Sequence, residues 1–190
     1  MNRSNTAPSA LLLVALILLS GCSLISPKTQ TVQGDWAFNG KMAIQNPTQA
    51  TSFNLDWVQQ NELFQIVLSG PFGQGKISIK GEPGRVSLTK DGQRQSAQSL
   101  NGLLYSATSM DLPLDYLQFW VRGETRPGGP FSIRRNDQGQ INQIVQAGWT
   151  VDINDYFAAP INLPRKLVFI NGEDRGKLII KAWLPTSPLS

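Results

Sequence analysis

The residue whose chemistry is easiest to assign is the only cysteine of this 190-residue chain, Cys22. It closes Leu19-Ser20-Gly21-Cys22, directly after an apolar run from Ala10 to Leu19. The run is short for a bilayer-spanning helix, which needs about 20 apolar residues. It has the length of a signal-peptide core, with Arg3 and the free amino terminus as its cationic start. Ser20 and Gly21 are small enough for a peptidase to approach the backbone. The thiol is the nucleophile that takes a diacylglyceryl group, and the amine freed by cleavage takes a third chain. Residues 1–21 are therefore expected to be a lipoprotein signal peptide and Cys22 a lipidation site. The alternatives are a plain secretory signal with an incidental cysteine, or an uncleaved anchor.

Other chemistry is thin. The chain has no histidine, which removes Ser/His/Asp and Cys/His nucleophilic arrangements and the commonest zinc ligand sets. Asp152 with Asp155, and Glu173 with Asp174, are the closest acidic pairs outside the signal segment. Nothing in their surroundings argues for the cleft that paired catalytic carboxylates need, so solvated charges are expected. Gly70-Pro-Phe-Gly-Gln-Gly75-Lys76 matches most of a phosphate-binding loop, but Ile77 stands where the magnesium-holding Ser or Thr belongs. The alternating Lys76-Ile-Ser-Ile-Lys80 reads as a strand and not as the required helix. No enzyme activity, metal, cofactor or nucleotide is expected. The formal charge of +4 comes from scattered basic residues, which is no nucleic-acid footprint.

The same glycine-rich segment holds Phe72 near its tip. Either the ring folds back on the core, or it stays exposed and enters a bilayer or a partner's groove.

The elements that position these groups are mostly strands. Residues 22–34 read as a lipidated cysteine with a polar tether, residues 35–185 as one domain and residues 186–190 as a tail. Trp36, Phe38, Gly40, Met42 and Ile44 share one face; Phe53, Leu55 and Trp57, then Phe64, Ile66 and Leu68, then Ile77 and Ile79, then Val86 and Leu88 do the same. Such alternation predicts an antiparallel sheet with one apolar face, and Asp91-Gly92 predicts a hairpin turn. The period then changes. Leu100, Leu103 and Leu104 predict a helix capped by Ser96 or Ser99. Leu114, Leu117, Trp120 and Val121 predict a second, with Pro113 in its first turn and Asp111 as cap. Strands return at Phe131–Arg135, Ile141–Ala147, from Trp149, around Leu167–Phe169 and at Lys177–Leu184. The total is roughly ten, enough for a sheet to curl. The fold class is mainly β, and the apolar face needs the helices or a guest to cover it.

Five tryptophans are many for this length. They either pack a core or line a cavity, where Met42 and Met110 would give adaptable walls. The expected wall of such a cavity, which would hold acyl chains if the resemblance given next holds, is Met42, Ile44, Leu55, Trp57, Ile66, Leu68, Trp120 and Trp149.

The order and spacing of several segments resemble the LolB family of outer-membrane lipoprotein receptors. They are the cysteine box, Gly40-Lys-Met-Ala-Ile44, Phe53-Asn-Leu-Asp-Trp57, Gly70 to Gly75, Leu112-Pro-Leu114 with Trp120, Gly148-Trp149, Leu163 to Leu167 and Lys177 to Trp183. The resemblance implies an unclosed antiparallel half β-barrel with an α-helical lid over a hydrophobic cavity. It also implies a monomer that takes lipoproteins by their acyl chains from the periplasmic carrier LolA. The receptor would insert them, without ATP, into the inner leaflet of the outer membrane. A protruding loop of the family carries an apolar residue that aids insertion. Phe72 holds that position, where leucine is usual. Ser23 after the cysteine, in place of aspartate, is consistent with a lipid-anchored protein in the outer membrane, facing the periplasm. The competing function is a membrane-tethered β-rich module that binds a protein partner and holds no lipid.

Overall fold

The computed structural model describes residues 34–108, 113–186 and 189. Cys22, the signal, the tether up to Gln33, Met110 and Asp111 lie outside them. Eleven strands follow in order: β1 (Trp36–Gln45), β2 (Ala50–Gln60), β3 (Leu63–Ser69), β4 (Ile77–Glu82), β5 (Arg85–Lys90), β6 (Gln93–Ala97), β7 (Phe131–Arg135), β8 (Ile141–Gln146), β9 (Trp149–Tyr156), β10 (Pro164–Asn171) and β11 (Asp174–Leu184). Two helices, α1 (Leu100–Thr108) and α2 (Leu114–Trp120), stand between β6 and β7.

All strands form one antiparallel sheet in the order β6-β5-β4-β3-β2-β1-β11-β10-β9-β8-β7. It is unclosed, since β6 and β7 are its two ends. The first and last strands meet at its middle, so each half is a meander of consecutive hairpins. Asp91 and Gly92 both have positive φ, as do Ala147 and Gly148, the backbone that a two-residue hairpin demands.

This topology dictates what the helices do. The chain leaves the sheet at β6 and must rejoin it at the opposite edge, β7. The described parts of this connection, residues 98–108 and 113–130, therefore lie on one face, and several of their apolar side chains are buried against it. Leu100 and Leu103 of α1, and Leu114, Leu117 and Trp120 of α2 with Val121 after it, share one cluster with the in-phase residues of the strands. Ser99 caps α1, its Oγ accepting the Gly102 N–H at 3.3 Å. Pro113 is the N-cap residue of α2 and not inside its first turn.

The apolar rows run straight across the strands. Phe38, Trp57, Ile66, Ile79 and Leu88 are successive cross-strand partners. On the other half, Gly176, Phe169, Val151 and Ile144 are likewise aligned. One irregularity changes the phase: a bulge in β11 opposite Asn39 and Gly40 skips Lys181. A Cβ on Gly40 would lie 2.6 Å from the Ile179 carbonyl oxygen, so the close approach requires glycine. Beyond the bulge Trp183 joins the covered face, with its ring 5.4 Å from Phe38 and 6.0 Å from Trp36.

Roughly ten strands were expected and eleven form. The extra one, β6, is Gln-Arg-Gln-Ser-Ala, almost wholly exposed. An edge strand with no apolar side to bury has no alternation to read, and its polar character suits an edge.

Candidate functional site

The eight residues expected to form the wall fall in one buried cluster. Met42 and Ile44 come from β1, Leu55 and Trp57 from β2, and Ile66 and Leu68 from β3. Trp120 comes from the crossing segment and Trp149 from β9. None is more than 6% exposed. Trp57 meets Trp36 at 5.4 Å and Phe38 at 6.2 Å. Trp120 meets Trp149 at 6.5 Å, and Trp149 meets Phe169 at 5.7 Å. In this structure the covered face is filled by its own rings and the lid. Ile79, Leu88, Val151, Leu167 and Leu178 belong to the same face and are equally buried.

Two buried glutamines, unremarked in the sequence reading, organise the polar atoms inside this cluster. Gln146 is 3% exposed. Its Oε1 accepts from Trp120 Nε1 at 3.2 Å and from the Arg126 N–H at 3.0 Å, and its Nε2 donates to the Arg126 carbonyl at 2.7 Å. One side chain from β8 thus fastens both α2 and the loop after it. Gln59 Oε1 accepts from Trp57 Nε1 at 3.1 Å, and its Nε2 donates to the Asn61 carbonyl at 2.7 Å. Both continue an apolar face at period two, Gln59 after Leu55 and Trp57, Gln146 after Ile144. A polar residue in phase with a buried row was the available signal.

Past α2, Arg122 donates to Glu124 at 2.6 Å, with both side chains largely buried. Its guanidinium lies 5.7 Å from the Trp36 ring centre and 5.6 Å from that of Phe119. Arg126 covers Tyr116 at 5.0 Å, and Tyr116 stacks on Trp120. Tyr156 donates to the Ile141 carbonyl at 2.6 Å. Burial pushes its phenol up from 10.0 to about 12, against an opposing pull from Arg135.

The glycine-rich loop does the reverse of burial. Pro71–Gly73 form a single 3₁₀ turn closed by Gly73 N–H to the Gly70 carbonyl at 3.1 Å and Gly70 N–H to the Gln74 carbonyl at 2.8 Å. Asn54 Nδ2 reaches the same Gly70 carbonyl at 3.4 Å. Phe72, at the turn's centre, has φ 60° and ψ 19° and is 99% exposed. The ring does not fold back on the core. A left-handed non-glycine residue costs about 1–2 kcal/mol, and no buried contact offsets it.

The acidic pairs do not converge on a cleft. Asp152 accepts from Gln143 at 2.7 Å, while Asp155 caps the Tyr156 N–H and pairs with Arg165 at the surface. Glu173 and Asp174 sit at the β10–β11 turn. A separate hollow of about 250 Å³ borders β3 to β6, with Gln65, Lys80, Ser87, Arg94 and Leu189 among its lining. Gln65, Lys80 and Ser87 are out of phase with the buried rows, so this hollow is not the expected acyl wall.

A family model described as "Outer membrane lipoprotein LolB" matches residues 34–183. An outer-membrane lipoprotein LolB of Chromohalobacter salexigens is 33% identical over 187 residues, covering 90% of this chain and 87% of the relative. One of Cellvibrio japonicus is 36% identical over 155 residues, covering 78% and 76%. Among solved structures, a LolA superfamily protein of Nitrosomonas europaea superposes with a TM-score of 0.52 at 10% identity, covering 83% of this chain and 89% of its own. That likeness concerns the fold alone.

Proposed function

The chain belongs to the LolB family, and from that premise we propose that it is a lipoprotein receptor held by the lipid on Cys22 in the outer membrane, facing the periplasm. It accepts lipoproteins from a LolA-like carrier, houses their acyl chains between the covered face of the sheet and the crossing helices, and inserts them into the inner leaflet. The observation that carries this reading is the large apolar face roofed, among the described residues, by a connecting segment. A sheet that needed cover for stability alone would be served by permanent packing of another layer. Here the cover spans two free edges, and Trp120 touches Trp149, so acyl chains enter as α2 withdraws from β9.

Exposing an acyl chain to water costs roughly 0.8 kcal/mol per CH₂. A carrier must therefore hide it until a receptor takes it. Transfer runs downhill, from carrier to this chain to bilayer, and needs no nucleotide. Residues 70–76 support that part of the reading, because they lead into β4 where a phosphate loop needs a helix N-terminus. Phe72 is the residue that touches the bilayer at the last step. The protein works as a monomer.

Photocrosslinkers at Leu55 and Trp57 should capture a bound lipoprotein, whereas crosslinks only from Asn54 or Gln65 would sink the assignment of the wall. In a liposome-transfer assay, Phe72→Glu should accept lipoprotein normally and insert it poorly; normal insertion would remove Phe72 from the mechanism. A tethered protein-interaction module with no lipid cargo would give neither a crosslink nor a tryptophan fluorescence change on adding an acyl ligand.

A further inference from the structure

Within the crossing segment and the first strand, two hydrogen-bond donors are left unmet. Trp36 Nε1 and Arg122 Nε are both buried with no acceptor, and the guanidinium carbon stands 5.7 Å from the Trp36 ring centre. Buried donors are ordinarily paired, because leaving one unpaired forfeits its hydration without return. The other unpaired buried side-chain atoms among the described residues, Asn101 Oδ1 and Asn142 Oδ1, are acceptors on α1 and β8. Of these four residues, Trp36 and Arg122 are the two whose side chains lie against each other.

The chemistry of the missing partner can be narrowed. The Arg122 charge is already answered by Glu124 at 2.6 Å, so the place calls for a neutral acceptor and not for an anion. It also adjoins the acyl wall, since Trp36 contacts Trp57 at 5.4 Å. A ligand with its chains along Trp57 would bring its polar junction to Trp36 and Arg122. We propose that Trp36 Nε1 and Arg122 Nε form a seat for the ester carbonyl oxygens of a diacylglyceryl cysteine, the group that joins acyl chains to a lipoprotein. This rests on the reading of the chain as an acyl-chain receptor and adds a polar contact to it. Phospholipids carry the same esters, but their phosphate would compete with Glu124 for Arg122, so the lipid-modified cysteine is the better fit. Carbonyls drawn into an apolar site lose water, and the two donors without a protein partner replace it.

The test uses the exported chain with Cys22→Ala, which removes its own acyl groups and leaves every residue of sheet and lid. Its affinity is measured by anisotropy for a labelled dipalmitoylglyceryl-cysteinyl peptide, for the dihexadecyl ether analogue that lacks carbonyls, and for a dipalmitoyl phosphatidylglycerol competitor. The ester should bind about fivefold to tenfold more tightly than the ether, as expected for one or two recovered hydrogen bonds. Trp36→Phe keeps an aromatic ring without the N–H, and Arg122→Lys keeps a cation to pair with Glu124. Each should shrink the ester-to-ether ratio, the pair together should bring it near one, and the ether's own affinity should stay within about twofold. Equal binding of ester and ether by the parent protein, or a ratio that survives both substitutions, overturns the seat while leaving the acyl-receptor reading intact. Failure of both lipopeptides to bind overturns that reading itself. Competition by phosphatidylglycerol as strong as by the ester peptide, lost equally in the two variants, would overturn the assignment to diacylglyceryl cysteine.

Discussion

Trp120 and Phe72 are both large rings on short helical segments between strands, and the molecule treats them oppositely. Trp120 is 0% exposed, its indole N–H met by Gln146 and its faces by Tyr116 and Trp149. Phe72 is 99% exposed on a left-handed backbone. The lid spends its apolar surface on the fold, while the loop withholds its own. A ring kept from the core at a conformational cost adds nothing to the fold, whereas under the proposed function the lid must serve stability and opening at once. The two regions should therefore separate under mutation.

The largest effect is expected at the lid. Trp120→Ala removes a fully buried ring and should cost about 3–5 kcal/mol of unfolding free energy, read by urea denaturation, with lipoprotein binding lost as well. A cost below about 1 kcal/mol, within the range of an exposed substitution, would erase the contrast with Phe72.

Next is the fastening beneath it. Gln146→Leu is nearly equal in volume, so its cost isolates the hydrogen bonds. Trp120 Nε1, the Arg126 N–H and the Arg126 carbonyl all lose their partner. A loss of about 2–4 kcal/mol is expected, since buried groups left unmet cost about 1–3 kcal/mol each and can rearrange in part. Faster amide hydrogen exchange in α2 and residues 121–126, with β1 to β5 unchanged, would place the loss at the lid; uniform acceleration would show that Gln146 supports the whole fold.

A smaller, pH-dependent effect marks the same half of the sheet. The folded Tyr156 phenol, at about 12, lies above its unfolded value of 10.0 because of burial. A raised pKa means that the folded state holds its proton longer. The contribution is full below pH 10 and declines as pH rises through 12. Tyr156→Phe should flatten that decline and cost about 1 kcal/mol at neutral pH for the hydrogen bond to Ile141. Equal alkaline sensitivity in the variant would assign the decline to other groups.

Period-two alternation reveals the sheet and its covered face, because each strand buries one side only. The two helices follow from the change of period between Leu100 and Val121. What alternation could not reveal has physical reasons. The edge strand β6 buries nothing and carries no pattern. Trp183 enters the covered face only because the bulge opposite Gly40 reverses its phase, and a bulge has no parity signature. Gln59 and Gln146 look like surface residues by type, although their position in phase with buried neighbours betrays them. The exposure of Phe72 was undecidable from residue types, since glycines on either side permit both a tucked and a projecting ring; the backbone at φ 60° decides it.

The smallest effect has the opposite sign and tests the comparison most directly. Phe72→Gly removes a side chain that touches almost nothing and relieves a left-handed residue. Glycine has no Cβ penalty there, although its unfolded chain is more flexible. The net expectation is a gain of about 0.5–1 kcal/mol in unfolding free energy. Transfer of lipoprotein to liposomes should fall at the same time, and loading from the carrier should stay unchanged. Stability and function would then move in opposite directions at one residue, as they do where a group is held against the preference of the fold. A loss of stability in Phe72→Gly would mean that the ring is packed in solution, and the contrast with Trp120 would shrink from one of kind to one of degree.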